Sequence, residues 1–443
     1  MVQERETMKI VVIGGGKMGL PVASMFAHRG ARVTVCDSNP SIVRKINQGI
    51  DPHDEPEQEA YVRDGVAVGR LRASAATPPE VQEADAVVIL VSAMLSPERD
   101  IEWRNLLNAS VDVAKGLRKG MLVSYETTIP VGSCRATLVP ILESSGLKAG
   151  EDFHVVFSPE RVKSRLVFAR LSDTPKIVGG ITPASTATGA AFYRRWLGAP
   201  VIEVGSVEAA EFVKLAGMAY RDVNIALANE LAAFGEAIGL DAWSLFRAAN
   251  TDGETALLQP GIGVGGHCTP VYPYFLINAA AREGISQDLV ALGRQINERQ
   301  PGRQIERLAA LLGGLRGRRI HILGLAFRPQ VREDAYSPAF ALQSCLIAAG
   351  AKVTLEDPLY DDDALIAKGF APGAIKSGGI DAVILQTAHP EFMSPDFLAW
   401  RAAGIRAVLD GRAAWSRDAA ESAGLIYVGV GVGGASTPMT GAE

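Results

Sequence analysis

The hydrophobic pattern near the start of the chain predicts a strand, a glycine turn, a helix and a second strand. The β-rich run KIVVI ends at Gly14, and an apolar-periodic helix follows through Met25 and Phe26. The second strand, ARVTVCD, ends at Asp37. Further buried strands are predicted in the segments 84–92, 120–128 and 153–160. Each ends in small or polar residues, as strands do where ligands bind at the carboxyl edge of a parallel sheet.

The pattern changes to helical spacing between Ser206 and Leu240. A helix of that length usually bridges domains or packs against a second subunit. Strand signals return after the polar stretch NERQPGRQ (297–304), in RRIHILGLAF, AKVTLEDP, DAVILQTAHP and RAVLDGR. The chain is therefore predicted to be an α/β protein with two Rossmann-like, doubly wound domains joined by a long central helix.

The first glycine turn carries a candidate dinucleotide site. Gly14, Gly16 and Gly19 fit the spacing GxGxxG, and Asp37 ends the following strand. The absence of Cβ atoms lets a pyrophosphate rest on the helix N-terminus. The Asp37 carboxylate would accept hydrogen bonds from the adenosine ribose, which favours NAD over NADP. We predict NAD as the cofactor.

Composition and charge exclude several classes of partner. The 443 residues are 48% hydrophobic and 21% charged, which is typical of a globular chain of about three domains. A net charge of −5 without a dense Lys/Arg block gives no reason to expect nucleic acid. The longest apolar run, AVVILVSAML, is far too short to span a membrane, and MVQERETMK lacks the apolar core of a signal peptide. We expect a cytoplasmic protein with no membrane partner.

One of the four cysteines is a candidate nucleophile. Cys36, Cys134, Cys268 and Cys345 form no CxxC pair, so neither a metal site nor a disulfide framework is predicted. Three of them are expected to be small buried hydrophobes. Cys268 differs because it follows His267 and the glycine-rich run GIGVGG. Glycine density of this kind permits positive φ angles and a close approach of the backbone to another group.

Seven ordered motifs resemble the UDP-sugar 6-dehydrogenases, the UDP-glucose and UDP-N-acetylhexosamine dehydrogenase family, and the resemblance covers residues 9–430. They are GGGKMGLP (14–21), YETTIPVG (125–132), FSPERV (157–162), EFVKLA (211–216), RDVNIALANEL (221–231), GVGGHC (263–268) and LGLAFRP (323–329). RDVNIALANEL and GVGGHC look more like the N-acetylhexosamine branch. The resemblance implies an NAD-binding Rossmann domain over 1–205 and a central helical dimerisation and catalytic region over 206–300. It also implies a UDP-sugar-binding domain with a flexible tail over 301–443, and a homodimer.

The resemblance also implies a covalent mechanism. Members of this family oxidise the sugar C6 hydroxymethyl group to a carboxylate with two NAD+ and no metal, through a cysteine thiohemiacetal and then a thioester. Cys268 would be the nucleophile, and Lys214 would stabilise the developing oxyanion. Glu160 would handle protons or water, and Thr128 would hold a water molecule. The alternatives are a solvated helix lysine for Lys214 and structural caps at strand ends for Glu160 and Thr128.

Further residues are implied for the cofactor and the substrate. Lys17 and Met18 in the glycine loop join Gly14, Gly16, Gly19, Asp37 and Thr128 as cofactor-binding residues. The substrate-binding residues implied are Arg161, Val162, Lys214, Arg221, Gly265, Arg328 and Arg412. Gly265 would contact the ligand through its backbone. Each arginine could instead form a surface salt bridge.

The chain departs from the family pattern at several positions. Tyr272 stands where the family has an aspartate, and Met218 stands where it has an asparagine. An arginine is expected at position 335 or 336, where this chain has Ala335 and Tyr336. A second arginine is expected before the glycine loop, and the stretch ETALLQPG has none. A phenol is a poor base at neutral pH, so the Tyr272 change bears on water activation. Two alternatives to a UDP-N-acetylhexosamine 6-dehydrogenase therefore stay open. One is a UDP-glucose 6-dehydrogenase, and the other is a nucleotide-sugar-binding homologue with impaired hydrolysis.

Overall fold

The computed structural model describes residues 7–53, 55–162 and 165–433, and the chain divides into two compact units. The first unit extends to Gly217 and includes Tyr274–Ile285. The second contains Met218–Pro273 and the chain from Ser286 onward. The tail that was expected to be flexible begins at residue 434 and lies outside the described part of the chain.

The first unit is built on an eight-stranded sheet. The strands of this unit, inside and outside that sheet, are β1 (Lys9–Ile13), β2 (Arg32–Cys36), β3 (Leu71–Ser74), β4 (Ala86–Ile89), β5 (Met94–Leu95), β6 (Ile101–Glu102), β7 (Leu122–Tyr125), β8 (His154–Phe157), β9 (Lys176–Gly180) and β10 (Val201–Val204). The sheet order is β10-β9-β8-β7-β4-β1-β2-β3, and β5 and β6 form a separate antiparallel pair. Neighbouring strands of the sheet are parallel except β8 and β9.

Helices connect these strands as expected for a doubly wound sheet. They are α1 (Gly19–His28), α2 (Pro40–Asn47), α3 (Gln58–Ala67), α4 (Thr77–Gln82), α5 (Arg104–Gly116), α6 (Val139–Glu143), α7 (Val167–Leu171) and α8 (Pro183–Trp196), with a π-helical turn at Cys134–Leu138 before α6. The predicted strands of segments 84–92, 120–128 and 153–160 are β4, β7 and β8. Strands β4 and β7 are buried along their whole length, as in a parallel sheet covered on both faces.

The predicted long helix is α9 (Val207–Ala237), which begins in the first unit and continues into the second. The next helices are α10 (Ala242–Ala249), α11 (Tyr272–Arg282) and α12 (Asp288–Leu312). The strands of the second unit are β11 (Arg319–Leu323), β12 (Lys352–Glu356), β13 (Ala382–Leu385), β14 (Ala407–Asp410) and β15 (Ile426–Gly429). They form a parallel sheet in the order β12-β11-β13-β14-β15. The helices between these strands are α13 (Pro338–Ala348), α14 (Asp362–Ala367), α15 (Phe397–Ala402) and α16 (Arg417–Ser422). Short 3₁₀ turns lie at Ile375–Ser377 and Pro390–Phe392.

The polar stretch 297–304 is part of a helix. The expected domain boundary after residue 300 falls inside α12, which continues through Pro301. The polar side chains there are buried and hydrogen-bonded. Asn229 of α9 donates to the Asn297 side chain at 3.0 Å, and the Gln300 amide donates to Asn229 at 3.2 Å. Buried polar groups need such partners, so polarity here reflects a packed helix pair and not a linker.

Burial of the cysteines follows the expectation in part. Cys36 and Cys134 are buried, whereas Cys345 is half-buried on α13, where its sulfur faces Gly302 of α12. Cys268 is also half-buried. In the described part of the chain, no helix combines the length and hydropathy that a membrane span requires.

Candidate active site

The glycine turn after β1 has the geometry of a dinucleotide loop. Gly14 has a φ of 102°, and a Cβ atom there would lie 2.7 Å from the carbonyl oxygen of Leu90. A Cβ on Gly19 would lie 1.9 Å from the Gly14 oxygen, so the first and third glycines are required by the chain itself. At Gly16 a Cβ would meet no described heavy atom within 4 Å. The second glycine thus leaves open space where a pyrophosphate can approach the backbone.

Asp37 shapes this loop directly. Its Oδ2 accepts the N–H of Gly15 at 2.8 Å, and its Oδ1 accepts the N–H of Asn39 at 2.8 Å. Lys17 and Met18 are half-exposed in the turn before α1, and Met18 makes no side-chain capping bond to the helix. Donors at the start of α1 are therefore not satisfied by that side chain. The predicted cofactor-binding residues of this loop fit a bound dinucleotide.

Lys214 and Glu160, two of the predicted catalytic residues, contact each other. The Lys214 ammonium donates a hydrogen bond to the backbone carbonyl of Glu160, with an Nζ–O distance of 2.6 Å. Thr128, the third predicted catalytic residue of the first unit, is buried three residues after the end of β7. The contact gives Lys214 a fixed place, in contrast to the alternative of a solvated helix lysine.

The carboxylate of Glu160 accepts three hydrogen bonds. Its Oε1 accepts the N–H groups of Arg161 and Val162 at 2.6 and 2.7 Å, and its Oε2 accepts Lys176 Nζ at 2.9 Å. Burial acts to raise the pKa of Glu160, but Lys176 and the two amides outweigh it and hold the pKa below its ordinary value. Glu160 thus caps two backbone amides after β8, and its part in proton handling stays a prediction.

Lys176, which the motifs did not indicate, joins Glu160 to a second buried carboxylate. Its ammonium also donates to Glu126 Oε2, and Tyr193 donates its hydroxyl to Glu126 Oε1 at 2.7 Å. Burial raises the pKa of Glu126. Burial lowers the pKa of Lys176, but the two carboxylates outweigh it, and the net shift is upward. Lys176 is the first residue of β9, a position that carries no motif signal.

The two predicted substrate residues after Glu160 differ in exposure. The Arg161 side chain is exposed, and its Nη1 donates to the Pro175 carbonyl at 3.3 Å. Val162 is half-buried and packs against the hydrophobic core of the first unit. The Arg161 contact is with a backbone oxygen and not with a surface carboxylate.

The glycines before Cys268 pack against the protein. A Cβ on Gly265 would lie 2.7 Å from the Phe327 Cβ and 3.0 Å from the Tyr336 carbonyl oxygen. Gly266 has a φ of 97°, and its N–H donates to Ala335 O at 2.8 Å. We expected these positions to be cleared for a ligand, but the side on which a Cβ would lie is filled by Phe327. The backbone contact proposed for Gly265 stays a prediction.

Both ends of this loop are tied to α9 and α12. The N–H of Gly261 donates to Asn229 Oδ1 at 3.0 Å. After Cys268, the carbonyl of Thr269 accepts Arg294 Nη1 at 3.2 Å, and Arg294 is paired with Asp222 at 2.9 Å. The Cys268 carbonyl accepts the N–H of Tyr272 at 2.9 Å, which opens α11. Sequence reasoning missed Arg294, because its partner lies 72 residues away in the chain.

Three predicted arginines lie in the second unit. Arg412 follows β14, and its Nε donates to the Gln386 carbonyl at 2.7 Å while its Nη2 donates to the Gln386 side chain at 3.1 Å. Burial lowers the pKa of Arg412 to about 10. The Arg328 guanidinium lies 5.6 Å from the centre of the Phe327 ring, and Arg221 is half-exposed on α9. For Arg412, the partner is Gln386 and not the surface carboxylate of the alternative reading.

Comparison with known proteins assigns the family. The NAD binding domain model of the UDP-glucose/GDP-mannose dehydrogenase family matches residues 8–197, its central domain model matches 208–299, and its UDP binding domain model matches 321–417. The chain belongs to the UDP-glucose/GDP-mannose dehydrogenase family. The family resemblance and the α/β fold predicted from the sequence are confirmed. NAD as cofactor and a dehydrogenase activity are confirmed as well.

Several relatives match over most of their length. A UDP-N-acetyl-D-mannosamine dehydrogenase from Pyrococcus horikoshii is 31% identical over 434 residues, covering 96% of this chain and 100% of the relative. A UDP-N-acetyl-D-glucosamine 6-dehydrogenase from Pseudomonas aeruginosa is 29% identical over 87% of this chain and 91% of its own. The structure of a UDP-glucose dehydrogenase from Pyrobaculum islandicum aligns with a TM-score of 0.86 at 26% identity, covering 98% of this chain and 100% of that one. The UDP binding domain supports a UDP-sugar as the substrate.

Proposed function

We propose that this enzyme oxidises the C6 hydroxymethyl group of a UDP-N-acetylhexosamine to a carboxylate, producing the corresponding uronic acid. The observation that carries this proposal is the 31% identity to a UDP-N-acetyl-D-mannosamine dehydrogenase over that relative's full length. The UDP-N-acetyl-D-glucosamine 6-dehydrogenase among the relatives supports the same substrate class. The sequence motifs RDVNIALANEL and GVGGHC favour the same branch.

The proposed chemistry uses Cys268 as a covalent nucleophile. Loss of a hydride and a proton converts the C6 alcohol to an aldehyde, and the Cys268 sulfur then adds to C6. Loss of a second hydride from C6 and of the hydroxyl proton converts this thiohemiacetal to a thioester, which water cleaves to release the carboxylate and regenerate the thiol. When bound, NAD+ supplies the hydride acceptor for each oxidation. Cysteine suits this role because its thiolate is intrinsically very nucleophilic.

The other proposed residues act on charge, water and ligand position. Lys214 would stabilise the oxyanion that develops at C6, a contribution of about 3 kcal/mol for a well-placed donor. Thr128 would hold water. Glu160 would hold Lys214 through its carbonyl, in addition to any part in proton handling. The proposed ligand-binding residues are Gly14, Gly16, Lys17, Met18, Gly19, Asp37 and Thr128 for NAD, and Arg161, Val162, Lys214, Arg221, Gly265, Arg328 and Arg412 for the UDP-sugar.

A UDP-glucose 6-dehydrogenase is the second candidate. It is favoured by the likeness to the Pyrobaculum islandicum structure. A binding homologue with impaired hydrolysis is the third, because Tyr272 and Met218 replace residues that the resemblance assigns to the reaction.

The deciding experiment measures NADH formation with UDP-glucose, UDP-galactose, UDP-GlcNAc, UDP-GalNAc and UDP-ManNAc. We expect the highest kcat/KM for an N-acetylated sugar, two NADH per sugar consumed, and no acid formation by C268A. A higher kcat/KM for UDP-glucose would select the second candidate. Binding of a UDP-sugar without sustained NADH formation would select the third.

The assembly and location are also proposed. The exposed residues Tyr220, Leu227, Leu231 and Phe234 of α9, together with Ile238 directly after the helix end, have three-, four- and seven-residue spacing and define an apolar stripe. Exposed apolar stripes of this kind mark interaction sites. We infer a homodimer that covers this stripe, and a cytoplasmic location. The three-region division 1–205, 206–300 and 301–443 is supported by the family models.

A further inference from the structure

A cluster of three charged side chains is buried in the first unit. The Lys176 side chain is 5% exposed, that of Glu160 10%, and that of Glu126 is fully buried. Lys176 donates to one carboxylate oxygen of each glutamate. Taking three charges out of water costs several kcal/mol per ion, and apolar residues of the same volume often serve stability as well or better. Stability alone therefore does not account for the cluster.

Glu160 is held at four points around this cluster. Its N–H donates to the Glu126 carbonyl at 3.2 Å, and its Oε2 accepts Lys176 at 2.9 Å. Its Oε1 accepts the backbone N–H groups of the two residues that follow it. Its own carbonyl accepts Lys214 at 2.6 Å. Through Glu160, the buried Lys176 is thus connected to the residue proposed to stabilise the oxyanion.

We propose that Lys176 is a positioning residue of this enzyme, which fixes Glu160 so that the Glu160 carbonyl holds the Lys214 ammonium in place. The role of Lys214 on which this inference rests is part of the proposed function. Glu126 supplies a second buried carboxylate for the Lys176 ammonium and is itself held by the Tyr193 hydroxyl, but the positioning contact is the one between Lys176 and Glu160. Lys176 touches neither substrate nor cofactor in this account and acts only through Glu160.

The decisive variant is the double substitution K176M/E126Q. It removes one positive and one negative charge, so that the net charge of the cluster is unchanged while Glu160 loses its cation. We expect a folded protein whose kcat falls roughly ten- to a hundredfold, since small displacements of catalytic groups have effects of this size. KM for NAD should change less than threefold, because the glycine loop is untouched.

A pH profile separates positioning from general weakening. Loss of an adjacent cation raises a carboxylate pKa by about 1 to 3 units. Loss of the Lys176 ammonium should therefore raise the pKa of Glu160, and the acid limb of the kcat pH profile should move to higher pH in K176M/E126Q. The control E126Q keeps the Lys176–Glu160 contact and should stay within about threefold of the parent enzyme. K176R, which can still donate to both glutamates, should recover most of the kcat lost in K176M/E126Q.

A substrate-independent measurement keeps this inference distinct from the proposed function. Competitive acetylation with trace acetic anhydride, followed by peptide mass spectrometry, reports the reactivity of Lys214 without any sugar. We expect Lys214 to become several-fold more reactive in K176M/E126Q and to be unchanged in E126Q. If no UDP-sugar is oxidised by the parent enzyme, the proposed function fails while this measurement still decides the inference. The inference would be overturned if the folded double variant kept the Lys214 reactivity, the kcat and the pH profile of the parent enzyme. It would also be overturned if E126Q alone lost as much kcat as the double variant.

Discussion

A Cβ atom added to Gly265 would lie 2.7 Å from the Cβ atom of Phe327. Phe327 cannot move away by a rotamer change, because its Cβ is fixed by the backbone, and the Tyr336 carbonyl lies 3.0 Å away on the same side. The glycine-rich loop that carries Cys268 is therefore set by packing within the second unit.

We predict that G265A lowers the thermal unfolding midpoint and reduces kcat by tenfold or more. Overpacking of this kind costs about 1 to 3 kcal/mol and displaces the backbone. Calorimetry and initial rates are the measurements. G205A is the matched control, since a Cβ at Gly205 would meet no described heavy atom within 4 Å, and it should leave both quantities near those of the parent. Parental stability and rate in G265A would mean that the loop is not constrained by Phe327.

A second prediction concerns cofactor choice. Asp37 holds the N–H of Gly15, and an acid at this strand end disfavours the 2′-phosphate of NADP. D37A should raise KM for NAD by about tenfold or more and bring the kcat/KM values for NAD and NADP closer together. D37N, which keeps an acceptor for Gly15, should lose less affinity for NAD while gaining activity with NADP. Equal use of NAD and NADP by the parent enzyme would contradict the assignment of Asp37.

The glycine loop and the buried strands were predictable because their signals are local. Gly14, Gly16 and Gly19 lie within six residues, and Ile10–Ile13 of β1 and the whole of β4 are continuous apolar runs. Lys176 and Arg294 were not predictable, because Lys176 lies 16 and 50 residues from its two carboxylates, Arg294 lies 72 residues from Asp222, and no pattern joins them. The helix through 297–304 was missed for a similar reason, since its polar residues are satisfied by Asn229 on another helix.

A third prediction concerns pH and the start of the π-helical turn. Glu211 of α9 is buried and accepts the N–H groups of Gly132 and Cys134 at 2.6 and 2.8 Å. Burial raises its pKa from 4.5 to about 8. The folded protein thus binds more protons at Glu211 than the unfolded chain between these pH values. Its contribution to stability is fully present below pH 4.5 and is lost as pH rises through about 8.

The thermal unfolding midpoint should therefore fall by several degrees between pH 6 and pH 9, and E211Q should flatten this dependence. E208Q is the matched control, because Glu208 lies one turn earlier on α9 and pairs with Arg135 on a more exposed surface. It should change the slope less than E211Q does, because burial and not the Glu208 charge is the main cause of the raised pKa of Glu211. An identical slope in the parent protein and E211Q would show that Glu211 is already ionised at neutral pH in the folded state.

A fourth prediction tests the proposed homodimer. Phe234 is 64% exposed in the apolar stripe, and a charge there would be costly to bury in an interface. F234E should shift the sedimentation coefficient from dimer to monomer at micromolar concentration. I347E places the same charge on an exposed apolar position of α13 and should leave the assembly unchanged. A dimer that persists in F234E would place the interface elsewhere.

The last prediction concerns Cys268 and Tyr272, whose N–H donates to the Cys268 carbonyl across one turn. Tyr272 replaces an acid with a phenol, so we expect hydrolysis of the Cys268 thioester to be the slow step. The candidate bases are therefore the exposed His267 and Glu160, whose pKa is held below its ordinary value by Lys176 and two backbone amides. The time course should show a burst of NADH followed by a slower steady rate. Y272D should raise the steady rate and leave the burst largely unchanged, whereas H267A should lower the steady rate.

Acid-quenched intact-mass spectra should show a sugar adduct that maps to Cys268. A linear, adduct-free time course would mean that hydrolysis is not limiting, and one NADH per sugar with free aldehyde would mean that Cys268 does not capture the intermediate.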